Sequence, residues 1–145
     1  MRKGRLHITV IILMLITTFP AYGNGDQDVQ TIKPDTVTVK VIGTNADSRF
    51  EPKEVQVRPG DTVRFEVVEG MHTVTAYHPD NRRELNIPPN AESFDSGILS
   101  AGDTWFLTIK QAGEYNYFCM PHERMGHIGK IISNKTTLKP TIYNN

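Results

Sequence analysis

The sequence is poor in the residues that build disulfide-stapled or membrane-spanning proteins. It holds a single cysteine, Cys119, in 145 residues. One cysteine excludes an intramolecular disulfide, so Cys119 is a free thiol, an intermolecular link or a metal ligand. The one extended apolar segment, residues 6–19, is short for a membrane-spanning helix. The length is therefore expected to give one domain that folds around a modest hydrophobic core.

The sequence also lacks an excess of positive or negative charge. The chain has 16 basic and 16 acidic residues, a net charge of zero. Without residues 1–23, 13 basic and 16 acidic residues remain, a net charge of −3. Basic residues in that remainder do not cluster apart from Arg82-Arg83, which we expect to be solvated loop charges, as we do Glu123. This pattern gives no support to nucleic-acid binding.

The N-terminus has the pattern of a secretory signal peptide. Residues 1–5 are basic, residues 6–19 are mostly apolar, and Ala21-Tyr22-Gly23 places small residues at the two positions that a signal peptidase recognises. We predict cleavage before Asn24, which gives a periplasmic or secreted protein without stable membrane insertion. The alternative is an uncleaved membrane anchor.

The rest of the chain has the periodicity of short β-strands. Polar and apolar residues alternate in residues 36–42, 54–58 and 62–68, and glycine, proline and aspartate turns recur between such segments. About seven or eight strands are predicted, as an all-β Greek-key antiparallel β-sandwich. We expect residues 24–34 to be a flexible segment, 35–133 the domain and 134–145 a polar tail. Residues 78–94 are predicted to form a long surface loop with a short helical turn.

Soft and borderline metal donors are concentrated near the C-terminus. Cys119, His122, Met125 and His127 lie within nine residues, between two predicted strands, and His72 lies upstream at another strand junction. Loops at one end of a sandwich can converge while the sheets hold them. Two imidazoles and one thiolate with a weak axial donor form the arrangement of blue-copper centres. We therefore predict one copper ion per chain.

Five motifs accompany these donors between about Val37 and Ile132. They are Phe50-x-Pro52, Pro59-Gly60-Asp61-Thr62-Val63-x-Phe65, His72-Thr73-Val74, Gly113-x-Tyr115-x-Tyr117-x-Cys119 and Cys119-x-Pro121-His122. These motifs resemble those of the cupredoxins, of the plastocyanin, pseudoazurin and halocyanin kind. The resemblance implies a cupredoxin-like sandwich in which His72, Cys119 and His122 are equatorial copper ligands, His122 being the most exposed. It also implies an exported electron carrier that serves redox partner proteins.

The axial position departs from this family pattern. Plastocyanin-like members carry a methionine five residues after the loop histidine, where this chain has His127. Counting back from Gly129-Lys130 also selects His127, whereas the shorter amicyanin-like loop spacing permits Met125 as the alternative. Imidazole is the harder and stronger donor, so axial His127 should favour Cu(II), lower the reduction potential and change the colour of the site. A His₃Cys set would also suit tetrahedral zinc.

Three classes of function remain to be compared. The first is electron transfer, and the alternative is copper binding for resistance, storage or delivery without fast electron transfer. A redox enzyme would need an open coordination position, which a four-donor site does not offer. The sequence shows no acid/base pair, Ser/His/Asp set or phosphate-binding loop, so no enzymatic activity is predicted.

Overall fold

A computed structural model describes residues 33–135 of the chain. The predicted signal peptide (1–23), most of the predicted N-terminal segment (24–34) and most of the predicted tail (134–145) lie outside the described residues. The described part forms ten strands. They are β1 (Thr36–Ile42), β2 (Arg49–Glu51), β3 (Glu54–Val57), β4 (Thr62–Val67), β5 (Met71–His72), β6 (Thr75–Ala76), β7 (Leu99–Ser100), β8 (Thr104–Thr108), β9 (Gly113–Phe118) and β10 (Ile128–Ser133).

The strands form two four-stranded sheets, in the orders β2-β1-β4-β8 and β3-β10-β9-β6, and a small β5-β7 pair. The predicted β-sandwich is confirmed, but the sheets are mixed, because β1 pairs with β4 and β3 with β10 in parallel. After β1, the chain turns back in β2 and crosses to the other sheet in β3, so β4 returns alongside β1 in the same direction. Side chains alternate with a period of two in parallel and in antiparallel strands alike. The alternation of polar and apolar residues therefore could not show which strands pair in parallel.

Two local features raise the number of strands above the predicted seven or eight. Strand β2 has three residues, too few to show alternation. The extended stretch after β4 is divided into two strands of two residues each, β5 and β6. Between them, the Thr73 N–H donates to Cys119 Sγ (3.4 Å) and the Val74 N–H to Ser96 Oγ (2.8 Å). These two backbone N–H groups are thus hydrogen-bonded to side chains of neighbouring loops and not to an adjacent strand.

The hydrophobic core lies between the two sheets and reaches the end of the sandwich that carries Cys119. Alternate apolar side chains of each sheet are buried, including Phe65 from β4 and Tyr117 from β9. The Tyr117 ring makes edge-on contacts with Phe50 and Phe65, at centroid distances of 4.7 and 5.3 Å. Such aromatic pairs add about 0.5–1.5 kcal/mol each beyond burial. This packing gives the loops above it a rigid base.

The long loop over residues 78–94 contains the predicted helical turn, a 3-10 turn at Pro79–Asn81. It is more than a surface loop, because the side chains of Ile87 and Phe94 are buried. The Asn81 amide group donates to the carbonyl oxygens of Ala76 (3.0 Å) and Phe94 (3.1 Å) and so ties the two ends of the loop together. The loop is therefore a well-anchored part of the domain.

A buried carboxylate holds together the end of the sandwich where β1 and β4 begin. Asp61 accepts hydrogen bonds from the backbone N–H groups of Asp35 (2.9 Å) and Arg58 (2.8 Å) and pairs with the Arg58 guanidinium. Burial alone would raise the pKa of Asp61, but these donors and the adjacent cation outweigh it and lower the pKa. Asp61 lies just before β4, and His72 lies beyond the other end of that strand. The Asp61 contacts are therefore far from the predicted metal ligands.

Replacing Asp61 with asparagine should destabilise the fold by about 1.5–3 kcal/mol at neutral pH, because the amide loses the charge and faces N–H donors with its own NH₂ group. The folded-state pKa is depressed, so the stabilisation is present above the ordinary carboxyl pKa of about 3.9 and is lost as the pH falls through the lower folded value. Urea unfolding of both proteins should therefore converge below about pH 4. Equal stability at neutral pH would contradict this account.

Candidate metal centre

Four side chains that could bind a metal converge at one end of the sandwich. One ligand atom from each of His72, Cys119, His122 and His127 lies within 4.8 Å of the others. His122 is half-buried, while the other three are buried, so His122 is the most exposed of the four, as expected. Four ligand atoms this close together could hold one metal ion.

The strand ends bring these donors together. His72 belongs to β5, Cys119 directly follows β9, and His127 directly precedes β10. We call residues 119–127 the ligand loop. Its base is closed by the Cys119 N–H, which donates to the His127 carbonyl (3.0 Å), and the His122 N–H donates to the Cys119 carbonyl (3.0 Å). Backbone bonds thus fix the spacing of three donors, as the predicted strand–loop–strand arrangement requires.

The orientation of His72 is set by two backbone carbonyls. Its Nε2 lies 3.0 Å from the Gly43 oxygen and 2.9 Å from the Glu69 oxygen. Carbonyl oxygens only accept, so Nε2 carries the proton and donates. In the neutral ring this tautomer leaves Nδ1 as the unprotonated nitrogen, and Nδ1 lies 3.6 Å from Cys119 Sγ. This is the arrangement by which outer partners orient a metal-binding histidine.

The thiol of Cys119 is fully buried between the two loops. Its sulfur accepts the Thr73 N–H at 3.4 Å and lies 3.4 Å from His122 Nδ1. Burial raises the pKa of the Cys119 thiol, and the N–H groups of Thr73 and His122 only partly offset this effect. Without a cation the sulfur is thus held as a neutral thiol, whereas a coordinated metal favours the thiolate.

His127 is the most unusual polar group of the site. It is fully buried, and neither ring nitrogen has a hydrogen-bond partner among residues 33–135. Its ring packs on Phe50, with centroids 4.1 Å apart. Burial, helped by the charges of His72 and His122, lowers the pKa of His127 to about 3, so the ring is neutral. An unpaired buried polar group costs about 1–3 kcal/mol, and a metal ion among the four donors would provide a partner for one of the two nitrogens.

The alternative axial donor, Met125, is placed differently. It ends a 3-10 turn at Glu123–Met125 within the ligand loop and is 45% exposed. The geometry thus brings His127 into the donor cluster and leaves Met125 at the surface. This placement supports the prediction made from the register of the loop.

Gly70 keeps space open behind His72. It adopts φ +80°, and a Cβ there would lie 2.7 Å from the Gly43 oxygen and 2.8 Å from His72 Nε2, the two ends of the orienting hydrogen bond. Replacing Gly70 with alanine should therefore displace this contact and lower copper affinity about 10–100-fold, as loss of outer-shell partners does. Chelator competition would measure it. The matched control is Gly60→Ala, also at positive φ (+100°) but with no atom within 4 Å of the new Cβ; equal affinities in both variants would contradict the prediction.

One contact beside the site was wrongly predicted. We expected Arg83 and Glu123 to be solvated, but Arg83 Nη2 lies 2.6 Å from Glu123 Oε2, next to His122. The two residues are 40 positions apart, and opposite charges at such a distance leave no local pattern. The carbonyls that orient His72 were missed for a similar reason, since backbone acceptors carry no residue signature.

Between residues 33 and 135 the protein is a β-sandwich in which one cysteine and three histidines form a cluster that could hold one copper ion. The family model described as copper binding proteins, plastocyanin/azurin family, matches residues 37–134. The chain belongs to this family, as the resemblance of its motifs predicted.

Individual relatives agree with this assignment. The chain is 32% identical over 95 residues to the chloroplastic plastocyanin of Chlamydomonas reinhardtii, covering 66% of this chain and 65% of that protein. It is 34% identical over 82 residues to the pseudoazurin of Paracoccus pantotrophus, covering 57% of this chain and 50% of that one. The solved structure of a pseudoazurin from Sinorhizobium superposes with a TM-score of 0.54 at 28% identity, over 71% of this chain and 76% of that chain. The chain thus spans between half and two-thirds of the length of these two sequence relatives.

Proposed function

We propose that the protein is an exported electron carrier with one copper ion held by His72, Cys119 and His122, and with His127 as the axial ligand. The observation that carries the proposal is the convergence of one thiol and three imidazoles, with the His127 ring buried and unpartnered among the described residues. Thiolate and imidazole are the equatorial donors of blue-copper electron-transfer sites. The plastocyanin and pseudoazurin relatives support the same chemistry.

A bound copper ion would supply a one-electron couple, and the residues of this chain would keep its donors in place. His72 is oriented by the Gly43 and Glu69 carbonyls, and the Cys119 sulfur by the Thr73 N–H. The Phe50 ring supports His127 from the core side. Donors held by packing and backbone bonds have little freedom to rearrange, which suits a site that must accept and release electrons with small structural change.

His122 supplies a path from the site to the surface. The half-buried His122 lines a hollow with mostly apolar walls, together with Met71, Ile98, Met120 and Pro121. Met71 and Ile98 are 66% and 77% exposed. We propose that a redox partner protein docks over this hollow and exchanges electrons through the His122 ring.

A second function is favoured by one observation, the third imidazole at the axial position. A His₃Cys set binds Cu(II) more firmly than one with a thioether, which would suit copper resistance, storage or delivery. Neither function is enzymatic. With four protein donors around one ion, no position is left open for a substrate, and this supports a role that is not catalytic.

Electron self-exchange distinguishes the two functions. The protein without residues 1–23 would be loaded with copper, checked by metal analysis and visible absorption, and studied by NMR line broadening in mixtures of the oxidised and reduced forms. Fast self-exchange is expected for the carrier. Slow exchange with tight Cu(II) binding would support the storage or delivery function. Preferential retention of zinc from an equimolar mixture would contradict both.

Export is proposed from the N-terminal pattern, with cleavage before Asn24, followed by residues 24–34, the domain 35–133 and the tail 134–145. Between residues 33 and 135, no helix has the length and apolar character needed to cross a membrane. Mass spectrometry of the protein recovered from the exported fraction would test the proposal. Recovery of an intact N-terminus in the membrane fraction would contradict it.

A further inference from the structure

An ion pair connects the long loop at residues 78–94 with the ligand loop. Arg83 Nε lies 3.1 and 3.0 Å from the two carboxylate oxygens of Glu123, and Nη2 lies 2.6 Å from Oε2. Both oxygens are thus engaged by one guanidinium, the forked geometry that makes arginine–carboxylate pairs stronger and more directional than point contacts. Both side chains are only partly exposed, at 36% and 22%.

The same guanidinium contacts a second element of the site. The Arg83 Cζ atom lies 4.9 Å from the centroid of the buried Phe118 ring, a cation–π distance. Phe118 directly precedes Cys119, and Glu123 directly follows His122. Arg83 therefore contacts the chain neighbours of two of the four donors.

Tyr77 completes this contact. Its ring packs on Phe118 with centroids 4.6 Å apart. Burial, together with the nearby Glu123 carboxylate, raises the pKa of Tyr77 to about 12, so the hydroxyl stays protonated at neutral pH. Phe118 is thus packed between the Tyr77 ring and the Arg83 guanidinium.

Arg83 is itself firmly anchored. Its backbone N–H donates to the His78 carbonyl (3.2 Å) and its Nη1 donates to the Arg82 carbonyl (3.0 Å). The following residues are tied to a sheet, since the N–H of Asn116 in β9 donates to the Asn86 carbonyl (3.0 Å). A rigid anchor is required for any residue that is to hold a loop in one position.

We propose that Arg83 is a positioning residue of the metal centre, which holds the ligand loop through Glu123 so that His122 stays at the distance that copper requires. The proposal rests on the proposed copper site. Within the ligand loop, the 3-10 turn at Glu123–Met125 ends at Gly126 in the left-handed region (φ +85°), and the bonds of that turn are internal to the loop. The Glu123 side chain ties it to the rest of the domain.

The chain offers a matched control in Arg82, the exposed neighbour with the same charge, which makes no ion pair with any of the residues 33–135. We expect Arg83→Gln to speed copper loss to a chelator about 10–100-fold and to shift the thiolate-to-copper absorption and the reduction potential. Arg82→Gln should match the wild type in all three. Arg83→Lys should restore part of the effect, because an ammonium keeps the charge but not the fork.

The partner residue gives an independent test. Glu123→Gln should act in the same direction as Arg83→Gln, and the double variant should lose copper no faster than about the worse single variant, since both changes remove one interaction. Full additivity of the two effects would overturn the proposal, because it would mean that each residue acts through other contacts. Wild-type behaviour of Arg83→Gln in copper loss and absorption would also overturn it.

A measurement on the metal-free protein separates this inference from the proposed function. Amide hydrogen exchange of Met125, Gly126 and His127 reports the loop bonds to the His122 and Glu123 carbonyls. In Arg83→Gln, but not in Arg82→Gln, these amides should exchange about tenfold faster or more. Unchanged exchange would overturn the positioning role whether or not the wild type binds copper, whereas failure of the wild type to show a copper–thiolate absorption would contradict the proposed function alone.

Discussion

Replacing Cys119 with serine is expected to abolish the intense visible absorption of the copper form and to lower copper affinity by more than the roughly 10–100-fold typical of outer-shell changes. The thiolate is the only soft anionic donor in the cluster, and a serine hydroxyl does not ionise at neutral pH. The three remaining imidazoles could still hold Cu(II), but without the sulfur there is no thiolate-to-copper transition. Visible spectroscopy and chelator competition would measure both effects.

The fold should survive this substitution, which makes the result interpretable. Serine is close to cysteine in size, and its oxygen can accept the Thr73 N–H that now lies 3.4 Å from the sulfur. Burying the more polar hydroxyl should cost less than about 2 kcal/mol. Thermal unfolding of the metal-free proteins is the control. A variant that keeps the visible band while unfolding normally would show that Cys119 is not a ligand.

Replacing His127 with methionine is expected to raise the reduction potential and to restore the spectrum of a site with a weak axial thioether. Imidazole favours Cu(II), so its removal should shift the relative affinity for the two oxidation states toward Cu(I). A 10–100-fold shift corresponds to about 60–120 mV for a one-electron couple. Protein-film voltammetry, absorption and EPR would follow the change.

A second prediction for His127→Met concerns the stability of the metal-free protein. Both ring nitrogens of His127 are buried without partners among the described residues, so a methionine of similar volume should not weaken the apo fold and could stabilise it by about 1–3 kcal/mol. The variant would then bind copper differently while being at least as stable without it. If His127 were merely structural, the variant would bind copper as the wild type does and would be less stable without it.

Met125→Leu is the matched control for the axial position. Met125 is 45% exposed in the ligand loop, so its replacement should leave the potential and the spectrum unchanged. If Met125→Leu shifts the potential while His127→Met does not, the axial assignment is wrong and the shorter loop spacing is the correct one. The pair of variants therefore decides between the two candidates in a single set of measurements.

Much of the fold was predictable because its signals are local. Alternation of polar and apolar residues located β1, β3 and β4 to within a residue or two. The three-residue strand β2 was not located, and the parallel pairing of β1 with β4 was not predicted, because strand orientation depends on where the connecting segments cross between the sheets.

The candidate donors were predictable for the same reason. Cys119 and His122 stand three residues apart in a loop between two strands, and the position of His127 follows from counting along that loop. The environment of these donors could not be predicted. The bond from His72 to the Gly43 carbonyl joins residues 29 positions apart, and the Arg83–Glu123 pair joins residues 40 positions apart.

The sequence by itself thus determined which residues carry metal-binding chemistry, where the strands run and to which family the chain belongs, since these depend on residue type and on short spacings. Only the tertiary structure decided that His127 is buried with the other donors while Met125 is exposed, which nitrogen of His72 faces the cysteine, and that Arg83 reaches the ligand loop. Those outcomes depend on burial and on contacts between distant segments, which form only when the two sheets pack together.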